Sequence, residues 1–262
     1  MLAGFDEIQQ GLGNPNVRNY IAATKQPVNV MNTNKRGSAS IVIDTSGSMN
    51  PYRDLLKRLI CEFYDDVLKD PIASNILELS IITFNSDVFI LQPMSEVKAQ
   101  EKKGKDIDLH CEGLTLTGCA LQVALLQMEQ RIDQFRHASP VIKYTAPILF
   151  LLSDGKPEYT PELRDQEEAA MTWSKKYIKE QVAANKLVVI AVEIGRNCNH
   201  ALMQELTGLR DDRHVLRADN AKSLVDFFKF SSSMLVSCSK FKNACEELNE
   251  TDLRDYKNFA EQ

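Results

Sequence analysis

Residues 41–50 read IVIDTSGSMN, an apolar run that breaks into an aspartate, small hydroxyl residues and a glycine, then meets Pro51. With the residues before it, SASIVID (38–44) has the pattern of a short strand buried on both faces. Proline is favoured in the first turn of a helix. Beyond Pro51, Leu55, Leu59, Phe63 and Val67 recur every fourth position, with Leu56 and Ile60 widening the stripe. That is the spacing of a helix laid against a sheet. The stretch predicts one β-α unit whose strand ends in a cluster of side-chain oxygens.

The rest of the chain repeats this alternation. ILELSIITF (76–84), NSD and VFIL (88–91) predict an antiparallel edge hairpin closed by Pro93. A polar segment over 95–112 leads to GLTLTG (113–118) and the helix CALQVALLQMEQRIDQF (119–135). APILFLLSD (146–154) is a second fully buried strand that ends in aspartate, and LVVIAVEIG (187–195) is a third. Between them Thr160 and Pro161 open a long helix in which Trp173 and Tyr177, one turn apart, belong to the core. A short helix closed by Gly208, the strand RHVLRA (213–218) and a helix over 221–237 complete the pattern. It predicts an α/β fold: a doubly wound, mostly parallel six-stranded sheet with one antiparallel edge strand and helices on both faces. Residues 1–37, rich in Asn and Gln, read as an N-terminal tail or extension, 38–238 as the domain and 239–262 as a C-terminal tail.

Composition narrows the function. A net charge of −5 argues against a general nucleic-acid surface, which needs a basic excess, and Lys102, Lys103 and Lys105 read as a solvated loop. No apolar run approaches membrane-spanning length and no secretory signal opens the chain, so a cytoplasmic location without membrane contact is expected. The six cysteines lack a Cys-x-x-Cys pair and are expected to stay reduced. Cys198 and His200 lack the second pair of ligands that a zinc site needs.

Asp44 and Asp154 end two buried strands at the carboxyl edge of the sheet, where open α/β sheets bind ligands. Asp44, Ser46 and Ser48 alternate through one turn and can converge on a point, and Thr115 lies in a loop that can supply another hydroxyl. Two carboxylates and three hydroxyls form an all-oxygen set, suited to a hard cation such as Mg²⁺ and unsuited to zinc. A dication also relieves the repulsion of two neighbouring carboxylates.

At these residues the sequence resembles the von Willebrand factor A domain family, whose metal-ion-dependent adhesion site (MIDAS) has the pattern Asp-x-Ser-x-Ser, a distant Thr and a distant Asp. DTSGS supplies Asp44, Ser46 and Ser48, GLTLTGCAL supplies Thr115 by its spacing to Gly118 with Thr117 as second choice, and LLSDGKP supplies Asp154. The resemblance implies a metal-dependent protein-interaction module holding Mg²⁺, with Mn²⁺ or Ca²⁺ as substitutes, that receives an Asp or Glu from a protein partner. PILFLLSDGKP and LVDFFKFSSSMLVSCSK look like the bacterial tellurium-resistance-type (TerY-like) members. Those accompany a protein kinase and a serine/threonine phosphatase, which implies a stress-response or signalling role.

Two other readings compete. One is an A-domain scaffold with a structural metal that binds partners through its tails or a helix face. The other is a haloacid-dehalogenase-like phosphotransferase, which needs a second acidic residue where Ser46 stands, and serine has the wrong pKa for that proton transfer. No Gly-x-Ser-x-Gly elbow or phosphate-binding loop is present, and His110, His137, His200 and His214 lack a triad context. The expected protein is not an enzyme.

Overall fold

The run before the aspartate forms β1, Gly37–Asp44, buried along nearly all its length. In this computed structural model residues 21, 24–100, 107–154, 157–196, 198–238 and 248–254 are described. Lys102, Lys103, Lys105, Gly155, Lys156 and Cys245, with residues 1–20 and 255–262 of the expected tails, lie outside them. Pro51 does not open the α-helix. It sits inside a 3-10 turn, Gly47–Tyr52, and α1 runs Arg53–Lys69, burying Leu56, Leu59, Ile60, Phe63 and Val67. A tight turn of this kind often leads into a helix, and proline's missing N–H costs nothing there.

A single turn, α2 (Ala73–Ile76), leads to β2 (Leu77–Phe84), which pairs antiparallel with β3 (Val88–Glu96). Contrary to expectation, β3 continues through Pro93. An edge strand tolerates proline because one row of its N–H groups has no ladder partner. The register slips there, so that Ile81 faces Gln92 while Leu79 faces Ser95. The segment expected to be polar also places Ile107 and Leu109 in the core. The chain continues through α3 (Thr117–Arg136), β4 (Ile148–Ser153), α4 (Pro161–Ala183), β5 (Val188–Ile194), α5 (His200–Leu206), β6 (Val215–Ala218) and α6 (Ala221–Cys238). The strand order is β3-β2-β1-β4-β5-β6, with every pair parallel except β2 and β3.

Strand alternation divides the core into two layers. Ile41, Ile43, Phe150 and Leu152 pack with α1 and α6, while Val42, Leu149 and Leu151 pack with α3, α4 and α5. Trp173 stacks on Tyr177 with ring centroids 5.0 Å apart, and the half-buried pair packs against the core at Ile21 and Leu126.

At the amino ends of β1 and β2 lies a buried ionic cluster that hydrophobic patterning does not reveal. Arg36 pairs with Glu96 at 2.6 Å and with Glu78 at 3.5 Å, and Arg131 pairs with the other Glu78 oxygen. The same guanidinium groups hold the preceding segment: Arg131 Nη1 donates to Gln26 O at 2.8 Å, and Arg36 Nη2 donates to Asn29 O at 3.0 Å. Burial pushes the Glu78 carboxyl upward, against the pull of Arg131 and Arg36.

The segment after α6 returns to the sheet, burying Leu253. The ring nitrogens of His214, itself buried, face Val189 O at 3.1 Å and Leu248 O at 2.7 Å. Burial holds the imidazole below its ordinary value of 6.5. A depressed histidine pKa gives stability that is complete above the unfolded value and lost as pH falls through the folded one. His214→Gln should therefore move the acid-unfolding midpoint, followed by circular dichroism below pH 6.5, to lower pH.

Candidate metal centre

β1 and β4 lie side by side, with Ile43 opposite Leu152, and their connections leave toward opposite faces, β1 to α1 and β4 to α4. That divergence opens a crevice at the carboxyl ends of the two strands. Asp44 ends β1 at this edge of the sheet, fully buried. One carboxylate oxygen accepts the Ser46 N–H at 2.8 Å and the other accepts the Ser153 hydroxyl at 2.6 Å. The Ser46 and Ser48 hydroxyls are 3.0 Å apart, with Ser48 exposed. The alternation through DTSGS thus brings Asp44, Ser46 and Ser48 together.

Backbone bonds hold the Thr115 loop against this turn. Gly47 N donates to Gly113 O at 3.3 Å, and Glu112 N donates to Thr45 O at 2.9 Å. Thr115 itself forms an antiparallel bridge with Glu158, its N–H donating at 2.8 Å. Thr115 is buried. Thr117, the second choice, begins α3, and its buried hydroxyl has no partner among the described residues. Asp154 directly follows β4, close enough for its charge to act on Asp44.

The Asp44 carboxyl is pushed up to about 6, chiefly by burial, with the Asp154 charge adding to the rise and the Ser153 and Ser46 bonds opposing it. Among the described residues no Lys, Arg or His pairs with Asp44. A buried carboxylate without a cationic partner is electrostatically incomplete. The surrounding donors are all oxygens, so the residues present fit a hard divalent ion.

Sequence reasoning missed Ser153 and Glu158. Ser153 adjoins Asp154 in LLSD, but nothing in that spacing announces a bond to Asp44, 109 residues away. Cys198 and His200 are engaged locally, the thiol with Ile194 O at 3.2 Å and the imidazole with Glu193 at 2.7 Å. Among the described residues no group of three or more His, Cys, Asp and Glu side chains is placed to hold a metal. The Asp44 set contributes only two such residues.

Similarity to solved structures supports the architecture. Proximal thread matrix protein 1 from the mussel byssus, in a structure with a zinc-occupied MIDAS motif, is 18% identical with a TM-score of 0.50, over 78% of this chain and 48% of that one. The pilus adhesin SpaC from Lactobacillus rhamnosus GG, in its open conformation, is 14% identical with a TM-score of 0.55, over 77% and 30%. A von Willebrand factor type A protein from Catenulispora acidiphila is 16% identical with a TM-score of 0.50, over 77% and 43%. The chain spans less than half the length of each. No curated protein matches it in sequence. The family model for the von Willebrand factor type A domain matches residues 40–230, the whole sheet from within β1 and most of α6, and the chain belongs to that family.

Proposed function

We propose that this protein is a metal-ion-dependent protein-interaction module. Asp44, Ser46, Ser48, Thr115 and Asp154 hold a divalent cation, Mg²⁺ or in its place Mn²⁺ or Ca²⁺, and a partner's Asp or Glu completes the shell. The observation that carries this reading is the buried Asp44, which lacks a cationic partner among the described residues and lies among hydroxyls at the crevice between β1 and β4. The zinc-occupied motif of the mussel protein lends support to a divalent ion at this place in the fold. In this chain the oxygen-only donors favour Mg²⁺ or Mn²⁺ over zinc. Binding rather than catalysis is proposed because, among the described residues, no positioned base or nucleophile pair accompanies the set.

Calorimetric titration should show one Mg²⁺ or Mn²⁺ site in the wild type and none in Asp44→Ala, and unchanged affinity in that variant would sink the assignment. The ending LVDFFKFSSSMLVSCSK supports the narrower placement among tellurium-resistance-type proteins, in a cytoplasmic stress-response assembly with a protein kinase and a serine/threonine phosphatase. Affinity purification in Mg²⁺, with elution by chelator, tests that placement. Neither enzyme in the eluate removes it.

A further inference from the structure

We propose that Glu167 is a positioning residue for the metal centre, closing the first turn of α3 with a negative charge and so tying the helix that follows Asp154 to the loop that carries Thr115. The assignment rests on Asp44 and its neighbours holding a cation.

Glu167 lies in the second turn of α4 and is 1% exposed. One carboxylate oxygen accepts the Gly118 N–H at 2.5 Å and the other accepts the Cys119 N–H at 2.9 Å. These are among the first N–H groups of α3, which have no partner within the helix. A side chain at the N-cap usually serves them, but the N-cap here is Leu116, which has no acceptor. A carboxylate from another helix does so instead. It reaches them because α3 and α4 touch at Gly118: a Cβ there would meet Met171 N at 2.6 Å and Glu167 O at 2.8 Å.

Two consequences reach the metal site. The first is mechanical. Thr115 is bridged on one side to Glu158, in the segment that leads into α4, and three residues later the chain is clamped by Glu167 of α4 itself. The Thr115 loop therefore takes its position from the element that follows Asp154 as well as from the Asp44 turn. The second is electrostatic. A helix amino end carries roughly half a positive charge, which would oppose a cation held at Thr115. Burial pushes the Glu167 carboxyl upward while the Gly118 and Cys119 amides favour its charged form, and in that form it reverses the field, with no basic side chain paired to it among the described residues.

Glu129 provides the control. Its buried carboxylate accepts the Tyr177 hydroxyl at 2.9 Å and joins the same two helices, α3 and α4, farther from Thr115. Glu167→Gln and Glu129→Gln in the full chain should be titrated with Mn²⁺ by calorimetry, with amide hydrogen exchange followed at Gly118 and Cys119 without metal. Glu167→Gln should weaken Mn²⁺ binding about 10-fold or more, as loss of a group supporting metal ligands does, and should speed exchange at both amides. Glu129→Gln should leave both unchanged. Wild-type affinity in Glu167→Gln, or an equal loss in Glu129→Gln, overturns the assignment while the metal reading stands. A wild type that binds no Mn²⁺ overturns the metal reading and this assignment with it. If Glu167→Gln does not fold, Glu167→Asp, which keeps the charge but is too short to reach both amides, must still weaken Mn²⁺ binding, and undiminished affinity there is equally fatal.

Discussion

Glu78→Ala is expected to destabilise the fold by about 3–5 kcal/mol, the cost of leaving buried charge uncompensated. Glu78 is fully buried and serves two guanidinium groups at once, those of Arg36 and Arg131. Arg36 keeps Glu96 as a partner after the substitution, so the unpaired charge falls on Arg131, which retains only neutral acceptors such as Gln26 O and Gln134 Oε1. The loss should appear as a lower urea midpoint with an unchanged m-value. A loss below about 1 kcal/mol, typical of exposed pairs, would mean that water reaches the cluster. Deleting the residues before Gly37 removes Arg36 and the carbonyls of Gln26 and Asn29 together, and a comparable loss is expected.

Chelation, or Asp154→Ala, is expected to abolish capture of a protein partner while the unfolded fraction stays unchanged. A hard cation held by two carboxylates and three hydroxyls keeps a coordination position that favours a further oxygen anion. A partner carboxylate supplies both charge and ligand, so losing either the ion or Asp154 removes the attachment point. Pull-down in Mg²⁺ against excess chelator, with circular dichroism on the same samples, separates loss of binding from loss of fold. Capture that survives the chelator and the replacement of every acidic residue in the partner's contact segment makes the ion structural and returns the scaffold reading.

What could be seen in the sequence was whatever depends on neighbours along the chain. Buried strands that break at Asp44 and Asp154, the stripe from Leu55 to Val67 and the Thr160–Pro161 helix start all follow from local periodicity and local backbone chemistry. The contacts that escaped notice join residues far apart. Glu78 sits in ILELSIITF like any polar residue of a strand, yet its partners are Arg36 and Arg131. Ser153 and Glu167 act on Asp44 and Gly118 only because the sheet and helices bring them there. Pro93 misled for a related reason. Its penalty depends on whether both sides of the strand are paired, which local sequence does not state. At the candidate metal centre the proposed ligands come from residue types and their order, while the burial that leaves Asp44 incomplete required the fold.

The slipped register at Pro93 has a further effect, on how molecules of this protein meet one another. An open sheet has two raw edges, and a long flat edge invites another chain to add a strand and seed polymerisation. Here one edge is β6, four residues long, and the other is β3, where a proline interrupts the row of donors and the shifted pairing bends the strand. Neither edge makes a good template for strand addition. On the proposed function, a protein that gathers others at its loops can accumulate at high local concentration and still leave its sheet out of the association.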